Sequence, residues 1–186
     1  MTDQVDSYQS GYLIRSFTCQ RAKTLLPMLF YLMLSLFFPQ DFKSNSTLPC
    51  DSTPTLNKKV IEFVNSNLNK KVGRGECWDL AAQALNTYKA KWDGNLSYGT
   101  KVDYKSECVY PGDIIQFERV YVEYKVDGGI MRDEIPHHTA VVYEVKSKGD
   151  FILAHQNYNN KKKVVLTPLN MANIKRGKAV IYRPVW

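Results

Sequence analysis

The stretch Gly73–Leu85, "GRGECWDLAAQAL", decides the fold, because a glycine-rich loop runs into a segment with helical periodicity. Cys77 opens that segment, whose apolar residues recur at helical spacing, and we expect the helix to continue to about Trp92. At a helix N-terminus, unpaired N–H groups and the helix dipole favour negative charge, so a thiol there ionises more easily. Cys77 is therefore either a nucleophile or a small buried residue that begins a helix.

The rest of the chain divides into a helical part and a strand-rich part. Upstream, the segment 57–72 places Val60, Ile61, Val64 and Leu68 on one helical face. Downstream, short apolar segments alternate with turn residues, which predicts strands. The predicted strands are Asp113–Glu118, Val120–Val126, His138–Lys146, Phe151–Asn157, Lys163–Thr167 and Lys178–Pro184. Helices followed by antiparallel strands indicate an α+β fold.

Two of the three histidines lie in the strand region, His138 in "HTAVVYEV" and His155 in "FILAHQN". Strand alternation puts His155 and Asn157 on one face, and a neighbouring strand can bring His138 beside them. We therefore predict that Cys77 is a nucleophile, that His138 is its base, and that His155 or Asn157 orients the imidazole. A zinc site of Cys77, His138 and His155 is an alternative, since the ligand types fit, although a paired spacing such as C-x-x-C is lacking.

Five segments carry a resemblance to a known family: "GRGECWDLAAQAL", "PGDIIQFE", "HHTAVVYEV", "ILAHQN" and "GKAVIYRPV". They resemble the cysteine-proteinase-fold domain at the C-terminus of fungal actin-patch adaptors, the myosin tail region-interacting group. More distantly, they are similar to the CHAP and NlpC/P60 amidases of the papain-like superfamily. The resemblance implies a papain-like α+β fold over residues 58–186, with N-terminal helices followed by an antiparallel sheet or half-barrel.

The resemblance also implies roles for single residues. Cys77 and His138 fall on the nucleophile and base positions, and Asn157 matches the asparagine of the CHAP pattern. His155 stands where that pattern has a glutamate. The segment before Cys77 holds no glutamine of the kind that papain-like enzymes use to bind the oxyanion, so backbone N–H groups or a side chain from elsewhere would have to serve.

The N-terminal region predicts passage into or across a membrane. Leu25–Phe38 is an uncharged apolar run of 14 residues, which as a helix reaches about 21 Å, short of a bilayer core of about 30 Å. Arg15, Arg21 and Lys23 precede it, as expected for a signal peptide or signal-anchor. We therefore expect an N-terminal segment (1–24), a signal or anchor (25–38), a linker (39–57) and a domain (58–186) that is secreted or membrane-anchored outside the cytosol.

The cysteines and two glycosylation sequons agree with that expectation. The sequons begin at Asn45 and Asn95. In an oxidising compartment Cys50 and Cys108 can pair, which leaves Cys77 with a free thiol.

The net charge of +7 comes from scattered lysines, apart from the run "NNKKK" at 159–163, which is typical of a solvated hairpin tip. Because no basic stripe is interleaved with aromatic residues, nucleic acid is not an expected partner. We predict a thiol hydrolase of a peptide, isopeptide or peptidoglycan-type amide bond, with no cofactor. The alternative is a catalytically inactive papain-like binding or adaptor domain with a protein partner.

Overall fold

The computed structural model describes residue 50 and residues 52–186. The N-terminal segment, the apolar run Leu25–Phe38, the sequon at Asn45 and most of the linker lie outside the described residues, and the predicted domain boundaries stay predictions. Within the described part of the chain, no helix combines the length and the apolar character needed to cross a membrane.

Two helices precede the sheet. Helix α1 spans Thr55–Asn67 and buries Leu56, Val60 and Val64, whose spacing of four residues makes one apolar stripe. Helix α2 spans Asp79–Thr87. It begins two residues after Cys77 and ends well before Trp92, because Lys89 adopts the left-handed backbone conformation (φ 54°) that stops a helix.

Six antiparallel strands form one sheet in the order β1-β6-β2-β3-β4-β5. The strands are β1 Thr100–Val102, β2 Ile114–Val126, β3 Gly129–Ser147, β4 Asp150–His155, β5 Val165–Asn170 and β6 Ile174–Arg183. A 3-10 helix, Met171–Asn173, connects β5 to β6.

The long hairpin of β2 and β3 differs from the sequence-based expectation. Two predicted strands are one, because the chain passes Arg119 in a bulge, with a φ of 49° and a register shift, and continues. The first half of β3, residues 129–137, was not predicted as a strand, since it is mostly exposed and its apolar residues do not alternate regularly with polar ones. This half of β3 brings Asp133 and His137 close to the candidate site.

The core lies in two apolar clusters, one on each face of the sheet. One cluster packs Ile114, Val141 and Ala154 against both helices. The other gathers Phe117 and Leu153 with apolar side chains from β2 to β6. The α+β prediction is therefore confirmed as two helices and an antiparallel sheet, while the half-barrel form stays a prediction.

A disulfide bond joins Cys50 to Cys108, with a Cα–Cα distance of 5.7 Å. The pairing that the sequence allowed is thus present. Of the cysteines that the structure describes, Cys77 is the one with a free thiol.

Candidate active site

The loop before α2, residues 73–78, has a defined shape that fixes Cys77, and it is called the Cys77 loop below. Gly73 and Gly75 both adopt positive φ angles, 57° and 83°, which side chains disfavour. The Asp79 carboxylate then accepts the backbone N–H groups of Arg74 (2.8 Å) and Glu76 (3.1 Å). The first residue of α2 therefore folds the glycine-rich loop back onto the helix start, with Cys77 between them.

Gln156 ties this loop to the sheet. Its side chain is fully buried, and its Nε2 donates to the carbonyl groups of Val72 (2.9 Å) and Glu76 (2.8 Å). Its Oε1 accepts the N–H of Val72 at 3.1 Å. Because Gln156 directly follows His155, these bonds hold the Cys77 loop against the end of β4. Gln156 was not among the predicted site residues, because its burial cannot be read from the sequence; once buried, its amide needs hydrogen-bond partners.

The Cys77 thiol lies beside the peptide bond that links His138 to Thr139. The backbone N–H groups of Thr139 and Trp78 lie near enough to the sulfur to lower the pKa of the thiol. At His138 and Thr139, β3 is no longer paired with β4, because Val141 and Ala154 are the last paired residues in this direction. Burial raises the pKa of the half-buried Cys77 thiol, and the backbone N–H groups lower it by less. The thiol is therefore protonated at neutral pH.

His138 and His155 form a hydrogen-bonded pair. The distance from His138 Nε2 to His155 Nδ1 is 2.8 Å, and His155 Nε2 lies 2.9 Å from Thr167 Oγ1. The two residues are only 5% and 3% exposed. Burial lowers the pKa of His138 to about 4, with a further contribution from His137, and lowers the pKa of His155 to about 3, with a further contribution from His138. Both rings are therefore neutral at pH 7.

The bond to His155 engages only one nitrogen of the His138 ring. If His155 Nε2 donates to Thr167, then His155 Nδ1 accepts from His138 Nε2, and His138 Nδ1 carries no proton. In that tautomer Nδ1 is a base. Among the described residues, no hydrogen bond links the Cys77 sulfur to either ring.

Asn157 contacts the Cys77 loop. The strand ends at His155 and Asn157 has a φ of 57°, so the alternation that put both residues on one face does not extend that far. The Asn157 amide donates to Glu76 Oε2 at 2.9 Å, and Lys162 Nζ lies 3.3 Å from the other oxygen. Of the two residues predicted to orient His138, the structure brings His155 to the ring and Asn157 to the loop.

A line of polar side chains on β2 and β3 was missed from the sequence. The Thr139 hydroxyl donates to Gln116 Oε1 at 2.6 Å and lies 3.1 Å from the Tyr98 hydroxyl. Gln116 Nε2 donates to Glu118 at 2.9 Å, and Glu118 binds His137 at 3.0 Å. Alternate polar residues on paired strands are the signal that could have identified this line.

The zinc alternative receives no support from the arrangement of ligands. In the part of the chain that the structure describes, no three side chains of His, Cys, Asp or Glu are grouped as a metal site requires. The bond between His138 and His155 also engages one nitrogen of each ring.

The chain is similar to one curated protein and to solved structures. It is 34% identical over 145 residues to altered inheritance of mitochondria protein 3 of Debaryomyces hansenii, an alignment that covers 68% of this chain and 15% of that protein. The crystal structure of Ly7917 matches at 16% identity with a TM-score of 0.47, covering 69% of this chain and 62% of that one. Ly7917 with the hydrolyzing product of MDP matches over the same shares, at 15% identity and a TM-score of 0.46.

This relationship corrects the predicted location. The expectation that the domain is secreted or membrane-anchored outside the cytosol is wrong, because the curated relative, altered inheritance of mitochondria protein 3, is named for a process inside the cell. An apolar run near the N-terminus reports only that this segment favours apolar surroundings.

A protein-family model, the AIM3/BBC1 cysteine proteinase-fold domain, matches residues 51–186. The match includes both helices, all six strands, the Cys77 loop and the histidine pair. The chain therefore belongs to the AIM3/BBC1 cysteine proteinase-fold family.

Proposed function

We propose that this domain is a thiol hydrolase of amide bonds in which Cys77 and His138 act as a neutral pair. The observation that carries the proposal is that the backbone N–H of Thr139, the residue directly after His138, lies near enough to the Cys77 thiol to lower its pKa. His155 already holds Nε2 of His138, so Nδ1 is the ring atom left for the thiol proton. The papain-like order, with the nucleophile before the base, supports the same assignment.

The proposed reaction begins when the Cys77 sulfur attacks the carbonyl carbon of the amide while His138 Nδ1 takes the thiol proton. The imidazolium then gives this proton to the leaving amine as the C–N bond breaks. Water attacks the resulting thioester, and His138 accepts a proton from the water and returns it to the sulfur. The products are an amine and a carboxylic acid, and the thiol is restored.

The neutral state of both partners has a kinetic consequence. Burial raises the pKa of the Cys77 thiol and lowers the pKa of His138, so both shifts oppose a thiolate–imidazolium pair. Proton transfer must then accompany the attack instead of preceding it. We therefore expect Cys77 to be a slow nucleophile at pH 7, in contrast to the low-pKa thiol that its place before α2 suggested.

A protein-binding or adaptor domain is the second candidate function. The near-complete burial of His138 and His155 supports it, because a closed base is poorly placed for turnover. The 15% share of the curated relative also supports it, since the matching region there is one part of a much longer chain. As a hydrolase, the domain would act on a peptide, an isopeptide or a peptidoglycan-type amide. As a binding or adaptor domain, it would have a protein partner.

Alkylation of Cys77 by iodoacetamide between pH 6 and pH 10 separates the two candidates. The rate is measured on the Cys77 peptide by mass spectrometry, so that Cys19 does not contribute. A hydrolase should lose reactivity by about 100-fold at pH 7 in His138→Ala, because general-base assistance is lost. Asn157→Ala is the matched control and should change the rate much less.

The opposite result supports the adaptor. If His138→Ala leaves the rate unchanged, and no thioester forms on Cys77 with activated acyl substrates, the domain keeps the fold without the chemistry.

A further inference from the structure

Tyr158 forms the wall that closes the histidine pair. Its ring centroid lies 4.6 Å from that of His155 and 5.8 Å from that of His138. Tyr124 and Phe117 also line this space, which has a volume of about 20 Å³, room for about one water molecule. Tyr158, in the connection between β4 and β5, is thus one of the side chains that cover both imidazoles.

Asp133 holds Tyr158 in that position. The Tyr158 hydroxyl donates to Asp133 Oδ2 at 2.5 Å, and Asp133 lies on the half of β3 that extends beyond the predicted strand. Burial and the Asp133 carboxylate both raise the pKa of Tyr158. The hydroxyl thus stays protonated and remains a donor to the carboxylate at neutral and alkaline pH.

The segment that carries Tyr158 is a tight local turn. Tyr158 and Lys161 form an isolated bridge, and Asn157, Asn159 and Asn160 all have positive φ angles between 49° and 60°. Asparagine tolerates this conformation better than most residues. Because the bridge is internal to the turn, Tyr158 is tied to the long hairpin by its hydrogen bond to Asp133 and by the contact of its ring with His138.

We infer that the Tyr158–Asp133 hydrogen bond is a latch that keeps His138 and His155 closed from water and sets the basicity of the pair. Tyr158 and Asp133 are positioning residues, since they act through the histidines. The inference concerns the histidines themselves, and its effect on Cys77 rests on the proposed function.

Opening the latch should make His138 a stronger base. The groups that face His138 are His155 from β4, Tyr158 from the connection, Tyr124 from β2, and Asp133 and His137 from β3. With the ring hydrated, the main cause of its low pKa is removed, and a carboxylate released from Tyr158 favours the imidazolium. The pair would then bind a proton more readily, although both rings would still be mostly neutral at pH 7.

The test replaces Tyr158 with phenylalanine, which keeps the ring and removes the bond to Asp133. Tyr143→Phe is the matched control, because the Tyr143 hydroxyl donates to Asn65 at 2.9 Å in an exposed place on β3. Two readouts are needed: titration of the His138 and His155 imidazoles by NMR, and the pH profile of Cys77 alkylation. Asp133→Ala removes the same bond from the other side, and serves if Tyr158→Phe does not fold.

In Tyr158→Phe we expect the histidine titration to move up by about one pH unit and Cys77 to react about tenfold faster at pH 7, the change in rate that one unit of pKa allows. Tyr143→Phe should match the unmodified protein in both readouts. Unchanged histidine titration in both Tyr158→Phe and Asp133→Ala would overturn the latch. A histidine shift without any change at Cys77 would support the latch and count against the proposed hydrolase.

Discussion

The Cys77 loop and the histidine pair are neighbours, yet different forces hold them. The loop is fixed by hydrogen bonds between backbone groups of residues 72–76 and the side chains of Gln156 and Asp79, and the Cys77 thiol stays half-exposed. The pair is fixed by aromatic packing and side-chain bonds and is nearly closed to solvent. Burial has opposite effects on the pKa of an acid and that of a base. In these two regions burial therefore keeps both groups neutral, because it raises the pKa of the Cys77 thiol and lowers the pKa of the two histidines.

The largest effect should come from removing the apolar support beneath the loop. Leu80 and Leu85 of α2 are 1% and 0% exposed, so either change to alanine should lower the free energy of unfolding by about 2 to 5 kcal/mol. Urea denaturation measures this. Leu166→Ala is the control, because Leu166 is 41% exposed and should cost far less. A loss below about 1 kcal/mol at Leu80 would mean that the α2 face is not core.

Acid should destabilise the folded protein through the histidine pair. The folded-state pKa values of His138 and His155, about 4 and about 3, lie below the unfolded value of about 6.5. At pH values between the folded and the unfolded pKa, these histidines are protonated in the unfolded chain and neutral in the folded chain. The stability is therefore complete above pH 6.5 and is lost as pH falls toward 4 and then 3, by about 3 kcal/mol for His138 alone.

Denaturation midpoints measured from pH 7 to pH 4 check this expectation. A variant with both His138→Gln and His155→Gln isolates the pair from other groups, including Asp113, whose pKa burial raises. The variant should lose most of the slope. An equal slope in both proteins would show that the histidines are charged or exposed in the folded state.

Removing the side-chain hydrogen bonds that connect the Cys77 loop to the end of β4 should lower the free energy of unfolding by a smaller amount. Gln156→Ala leaves the buried N–H of Val72 without its acceptor, and we expect a loss of about 1 to 3 kcal/mol. Asn157→Ala removes a partly buried bond to Glu76 and should cost about 1 kcal/mol or less. Equal losses for the two variants in thermal unfolding would mean that Gln156 does not anchor the loop.

The smallest effect should come from Cys77→Ser. The change alters little volume at a half-exposed position, so the free energy of unfolding should change by less than about 1 kcal/mol. Chemical denaturation beside Cys77→Ala gives the comparison. Severe unfolding of the serine variant would identify Cys77 as a buried structural cysteine.

The sequence predicted the parts of the fold and site that depend on local pattern. Helical periodicity identified α1, and the glycine-rich loop located Cys77, since both signals involve neighbours in the chain. The continuous hairpin was not predictable in this way, because neither the bulge at Arg119 nor the mostly exposed half-strand 129–137 shows regular apolar alternation. The position of Asn157 was predicted wrongly for a similar reason. The backbone turns after His155, so Asn157 no longer follows the alternation of side chains along the strand.

The bonds between Gln156 and Val72 join positions 84 residues apart in the chain. Contacts of that separation require a long loop of chain to close, which costs conformational entropy. Until this loop docks against the sheet, Cys77 is an uncovered thiol. Under oxidising conditions it could then compete with Cys108 for Cys50, so docking of the loop protects the Cys50–Cys108 pairing.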